Sequence, residues 1–125
     1  WEMFFEKMTE RQHRIATARV KWSSKYQDKA GIMTGAAEAL PEGVKERIPV
    51  ICKRVYRSLQ LSGYARIDMR VDATGRVFVI EANPNPQIAD GEDFAQSADM
   101  ASVSYPNLIQ RILRAGLRWE PEKNG

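Results

Sequence analysis

At 125 residues, 43% hydrophobic and 28% charged, the sequence has room for one packed domain and excludes disorder or a collagen-like repeat. Its net charge of +3 comes without the dense basic clusters and interleaved aromatics of a nucleic-acid module, so nucleic acid is not an expected partner. One cysteine, Cys52, and one histidine, His13, exclude an internal disulfide and a zinc site, and no apolar run approaches the roughly 20 residues of a membrane span. The expected setting is therefore a reducing cytoplasm, with no membrane partner. Cys52 reads as a small core hydrophobe and His13 as a surface residue.

The chain opens at Trp1 inside an apolar run, WEMFF, and the expectation is a piece of a longer protein. Residues 1–6 read as a short strand and residues 14–22, RIATARVKW, as a second. From Ser23 to Glu42, Gly31, Gly35 and Pro41 punctuate a polar stretch that reads as a long loop with room for one helical turn. Pro41 and Glu42 then open a helix that carries Val44, Ile48, Ile51, Cys52, Val55 and Leu59 on one face. Pro49 either kinks that helix or marks its true start near Ile48, and Ser62-Gly63 ends it. Residues 64–72 and 77–83 read as two strands joined through Asp72-Ala73-Thr74-Gly75, a β-hairpin stopped by Asn83-Pro84-Asn85-Pro86. A short helix is expected over 92–101. A last one opens at Ser104 and Pro106, with Leu108, Ile109, Ile112, Leu113 and Leu117 as its stripe. The fold class is α+β, an antiparallel sheet with packed helices, and residues 1–125 read as a single domain. WEMFF and the strand over 14–22 lack obvious partners, which predicts self-association through edge strands, as in a homodimer.

The hairpin register carries the chemistry. With Asp72 opposite Val77, the apolar Ile67, Met69 and Val71 fall opposite Ala82, Ile80 and Phe78 and form a core face. The other face then sets Arg66, Asp68 and Arg70 across from Asn83, Glu81 and Val79. Two carboxylates side by side repel unless a cation lies between them. Asp, Glu and an Asn carbonyl form an all-oxygen set suited to Mg²⁺ or Mn²⁺. A plainer reading pairs Asp68 and Glu81 with Arg66 and Arg70 on a solvated face. Both remain open at this point.

The stretch GYARIDMRVDATGRVFVIEANPNP resembles the C-terminal metal-binding hairpin of ATP-grasp enzymes, in particular D-alanine–D-alanine ligases and related carboxylate–amine ligases. The shared pattern is R-x-D, a D-x-x-G turn, then E-x-N-x-x-P, with thirteen positions from Asp68 to Glu81. Ala18–Trp22 sits where the family has an aromatic-flanked lysine, and Ser104–Ile109 looks like its final helix. The resemblance implies the C-terminal subdomain of an ATP-grasp fold that uses ATP with two Mg²⁺ (or Mn²⁺) ions and joins small carboxylate and amine substrates through an acyl phosphate. It implies Asp68, Glu81 and Asn83 as metal ligands, with Glu81 bridging. Arg66 would act on the acyl phosphate and tetrahedral intermediate, and Lys21 on the γ-phosphate. The sequence departs from the family after Asn83. Pro84, Asn85, Pro86 and Gln87 replace a small residue, Ser, Pro and a Gly whose amide lines the oxyanion site, and Asp90-Gly91-Glu92-Asp93 follows. The family's glycine-rich lid, adenine hinge and N-terminal domain have no counterpart in these residues, so the chain alone is not expected to turn over. The alternative is a non-catalytic binding or interaction module that keeps the fold without the lid.

Overall fold

The computed structural model describes residues 1–9, 14, 17, 20, 23–37 and 39–120. They fall into two compact units, residues 1–37 and residues 38–125. Among the described residues no helix is long and apolar enough to cross a membrane.

In the first unit, β1 (Glu2–Phe5) pairs antiparallel with β2 (Ile32–Gly35), Glu2 opposite Gly35 and Phe5 opposite Ile32. The pairing runs on as Glu6 N–H donates to Gly31 O and Lys7 N–H to Ala30 O. Between the strands lies α1 (Ser24–Ala30), where the polar stretch reads as loop from sequence. Ser23 caps α1 by accepting from Tyr26 N–H, and Gly31 closes it at φ +59. A side chain at Gly31 would also meet Lys7 Cγ at 2.9 Å, so glycine is required twice over. β2 exists because β1 offers it an edge; four residues with Thr and Gly among them carry little strand signal of their own. Among the described residues of this unit, Met8, Val20 and Ala30 are buried and apolar. The strand expected over 14–22 lies outside the described residues except for Arg14, Thr17 and Val20, and Val20 is helical rather than extended.

The second unit begins with α2 (Val44–Ser58), capped by Gly43 and running uninterrupted through Pro49, so the helix starts at Val44 and not near Ile48. Its end comes earlier than Gly63. Gln60 takes the left-handed conformation (φ 51), its N–H donates to Arg57 O, and Leu61 N–H reaches back to Tyr56 O. That double bond pattern is a Schellman ending, made here without glycine. The helix α3 (Asp93–Met100) ends the same way on Ser102 (φ 60), with Val103 N–H donating to Ala98 O. It packs against α4 (Tyr105–Leu117). Leu108 on α4 is buried, as are Ala95 and Val44, but Leu113 and Leu117 of the expected stripe face solvent.

The hairpin is β3 (Arg66–Val71) and β4 (Val77–Asn83). At its open end the register is the expected one, with Arg66 opposite Asn83, Ile67 opposite Ala82 and Asp68 opposite Glu81. Beyond Asp68 it slips by one. Met69 faces Val79 and not Ile80, Arg70 faces Phe78, and Val71 faces Val77. A β-bulge leaves Ile80 as the extra residue, 65% exposed, and Phe78 moves to the polar face beneath the Arg76 guanidinium. The turn causes the slip. Asp72 N–H donates to Arg76 O, which makes Arg76, not Val77, its partner. The Asp72 carboxylate accepts from Thr74 N–H, Thr74 Oγ1, Arg76 N–H and Arg76 Nε, all at 2.7–3.0 Å. Gly75 supplies the left-handed residue that such a three-residue connection needs (φ +80). The turn rests on α2: a side chain at Gly75 would touch Pro41 and Val44 at 3.4 Å, and Arg47 Nη1 donates to Gly75 O at 3.2 Å. α2 itself packs on β4.

These hydrogen bonds, that of the Thr74 side chain first, together outweigh the opposing cost of desolvation and hold the Asp72 carboxyl below the ordinary aspartate value of about 3.9. A depressed folded pKa adds stability that is complete above the unfolded value and fades as pH falls through the folded one. Thermal melts from pH 7 to pH 2 should therefore show wild type above Asp72→Asn near neutrality, with the gap closing below about pH 4. A gap that is constant with pH would mean the carboxylate charge is not what holds the turn.

Candidate active site

Alternation along β3 and β4 brings Arg66, Asp68, Glu81 and Asn83 to one face at the open end of the hairpin, as two successive cross-strand pairs. Arg66 grips its strand neighbour two residues on. Nε lies 2.7 Å from Asp68 Oδ1 and Nη2 lies 2.9 Å from Oδ2, a bidentate fork. Nη2 also approaches Glu81 Oε1 at 3.6 Å, an ion pair too long for a hydrogen bond. All three side chains remain partly open to solvent, at 37% for Arg66, 32% for Asp68 and 49% for Glu81. The Asp68 hydrogen bond raises the Arg66 guanidinium above its ordinary value. Partial burial opposes this, and the charges of Asp68, Glu81 and Asp93 reinforce it.

Asp93 is the residue that sequence reasoning does not single out. It is the first residue of α3, and its charge acts on Arg66 from outside the hairpin. Its signal is the Asp90-Gly91-Glu92-Asp93 cluster, which departs from the family pattern and was readable only as a departure. Asn83 sits in the exit of β4, where its Oδ1 accepts from Asn85 N–H at 2.9 Å. Lys21, the expected phosphate-binding residue, lies outside the described residues, as does His13.

Asp68, Glu81 and Asn83 offer only oxygen to a cation. Asp68 and Glu81 face each other at the separation of a cross-strand pair, about 4.5–5.5 Å between Cβ atoms. Asn83 Oδ1 has one lone pair engaged by Asn85 and a second available. The set fits Mg²⁺ or Mn²⁺, which take one or two carboxylates and complete their shell with water and phosphate.

On the opposite face of β3, Ile67 helps line an open groove of about 440 Å³ with Ala65 and with Cys52, Lys53, Tyr56 and Arg57 of α2. Burial pushes the Cys52 thiol up, which suits a half-buried packing residue and not a nucleophile.

Comparison with known proteins bears on the family of the chain. Residues 5–114 match the family model described as "D-ala D-ala ligase C-terminus". The D-alanine–D-alanine ligase A of Brucella suis is 32% identical over 96 residues, 77% of this chain and 27% of that protein. The D-alanine–D-alanine ligase of Desulforudis audaxviator is 31% identical over 104 residues, 79% of this chain and 32% of that protein. Among solved structures, the D-alanine–D-alanine ligase of Bacillus anthracis complexed with ATP superposes with a TM-score of 0.58 at 33% identity, covering 65% of this chain and 28% of that one. The chain thus spans about a third or less of the length of these relatives.

The exposure of the Arg66–Asp68 pair sets what it contributes to the fold. An ion pair this open is worth roughly 0–1 kcal/mol, since water solvates either partner when the other is removed. Arg66→Gln should lower the melting temperature by no more than a few degrees. A collapse of the fold would show that the pair holds the hairpin together.

Proposed function

Because this chain belongs to the D-alanine–D-alanine ligase C-terminal family, we propose that residues 1–125 are the C-terminal part of an ATP-dependent carboxylate–amine ligase. Such an enzyme activates a carboxylate as an acyl phosphate and transfers the acyl group to an amine, forming a peptide-type bond. The observation that carries the reading is the gathering of Arg66, Asp68, Glu81 and Asn83 on one accessible face. The ATP of the Bacillus anthracis structure supports the nucleotide.

In this reading Asp68, Glu81 and Asn83 would be the residues that hold two Mg²⁺ or Mn²⁺ ions. When bound, the ions supply neutralisation of phosphate charge, which is most of what phosphoryl transfer needs. Arg66 presents a planar cation to the phosphate oxygens and to the oxyanion that forms when the amine attacks. The bidentate contact with Asp68 orients that guanidinium before substrate arrives. For Lys21, outside the described residues, the family resemblance implies a role toward the γ-phosphate. Small carboxylate and amine substrates complete the site, and the departure at Pro84–Gln87 bears on which ones.

Arg66 and a cation compete for Asp68, because the guanidinium already engages both of its oxygens. Removing a neighbouring positive charge favours a divalent ion by about 1–2 kcal/mol in partly exposed surroundings, or about tenfold. Titration of the chain with Mn²⁺, followed by paramagnetic broadening of NMR signals, should show broadening centred on Asp68, Glu81 and Asn83, strengthened by added ATP. Arg66→Gln should bind Mn²⁺ about tenfold more tightly. Broadening centred elsewhere would overturn the assignment.

A further inference from the structure

Polar contacts continue past the ends of the strands. Tyr64 lies two residues before Arg66 and Asn85 two residues after Asn83, both just outside the paired segments. Tyr64 Oη–H donates to Asn85 Oδ1 at 3.1 Å. Asn85 N–H in turn donates to Asn83 Oδ1 at 2.9 Å. The Tyr64 ring lies against Phe94 of α3, centroids 5.8 Å apart at a tilt of 55°. Three elements therefore converge on the exit of β4: the lead into β3, the Asn-Pro-Asn-Pro segment and the start of α3.

This convergence bears on a weakness of asparagine as a ligand. Its terminal amide rotates in a broad, roughly two-fold well, and a turned amide offers a cation NH₂ in place of oxygen. A backbone N–H pointing at the side chain removes that ambiguity, because it accepts only the oxygen as partner. The bond depends on the backbone at Asn85 staying put. Pro84 and Pro86 fix their own φ and bias the residue before each away from the helical region. Pro86 is also buried. The remaining freedom is rotation of Asn85 itself, and Tyr64 holds its side chain.

We propose that Tyr64 is a positioning residue: through Asn85 it fixes the Asn83 amide so that one oxygen lone pair is taken by backbone and the other is presented to a divalent cation. The inference rests on the reading of Asp68, Glu81 and Asn83 as cation ligands. Neither Tyr64 nor Asn85 touches the cation in this scheme. Phe94 acts as the stop that keeps the phenol within reach of Asn85.

The test is a Mn²⁺ titration of the 125-residue chain, read by paramagnetic broadening, on wild type, Tyr64→Phe, Asn85→Ala and the double variant. Thermal melts accompany each. Tyr64→Phe keeps the ring on Phe94 and removes only the hydroxyl, so its melting temperature should stay close to wild type. Its Mn²⁺ Kd should rise by about tenfold, the lower end of the ~10–100-fold cost of losing a group that orients a ligand. Asn85→Ala should weaken binding similarly, and the double variant no further, since both changes cut one relay. The Asn83 side-chain NH₂ signals should show averaging in Tyr64→Phe. An unchanged Kd in Tyr64→Phe, with wild-type broadening centred on Asp68, Glu81 and Asn83, overturns the role of Tyr64 and leaves the cation reading intact. Fully additive losses in the double variant overturn the relay. A lowered melting temperature with unchanged Kd makes Tyr64 structural only. Wild-type broadening away from these residues removes the cation reading, and this inference with it.

Discussion

Two ends of one hairpin make demands that a continuous ladder cannot meet together. At the turn, the Asp72 carboxylate gathers donors from Thr74 and Arg76 and so selects Arg76 as its opposite number. At the open end, Asp68 stands opposite Glu81 and Arg66 opposite Asn83, a pairing one residue out of step with the turn. Ile80 absorbs the difference as a bulge. Every residue of the candidate site lies on the far side of that bulge from the turn, so its geometry follows from where the slip is taken up.

The charges at the open end are arranged for exchange and not for rigidity. Arg66 lies in the field of Asp68, Glu81 and Asp93 and forks onto Asp68. The Arg66–Asp68 ion pair is not shielded from solvent. Its two partners are about a third exposed, so either can be released to a ligand at little cost in stability. Under the proposed function, that accessibility is what would let a metal–phosphate group engage these side chains.

Much of this was legible in the sequence, and the exceptions have physical causes. The hairpin, the apposition of Asp68 with Glu81 and the last two helices follow from alternation and spacing. The turn half of the register does not. Alternating apolar residues favour burying Phe78 and Ile80, but the hydrogen bonds of one aspartate outweigh that preference and leave both exposed. α1 and β2 escape because seven and four residues carry weak local signals, and the pairing with β1 that forms β2 is not local. Helix ends at Gln60 and Ser102 escape because left-handed residues without glycine leave no mark in composition. The contribution of Asp93 depends on how α3 meets the hairpin, and a single sequence does not display that.

The bulge also has a meaning for how this hairpin tolerates change. A strand pair with a strict ladder transmits any insertion or deletion in its turn along its whole length, and a shift of one residue turns every side chain to the other face. Here the ladder contains a slip joint at Ile80. A change in the connecting loop that alters the turn register would therefore be expected to move the bulge before it moves the pairing of Asp68 with Glu81.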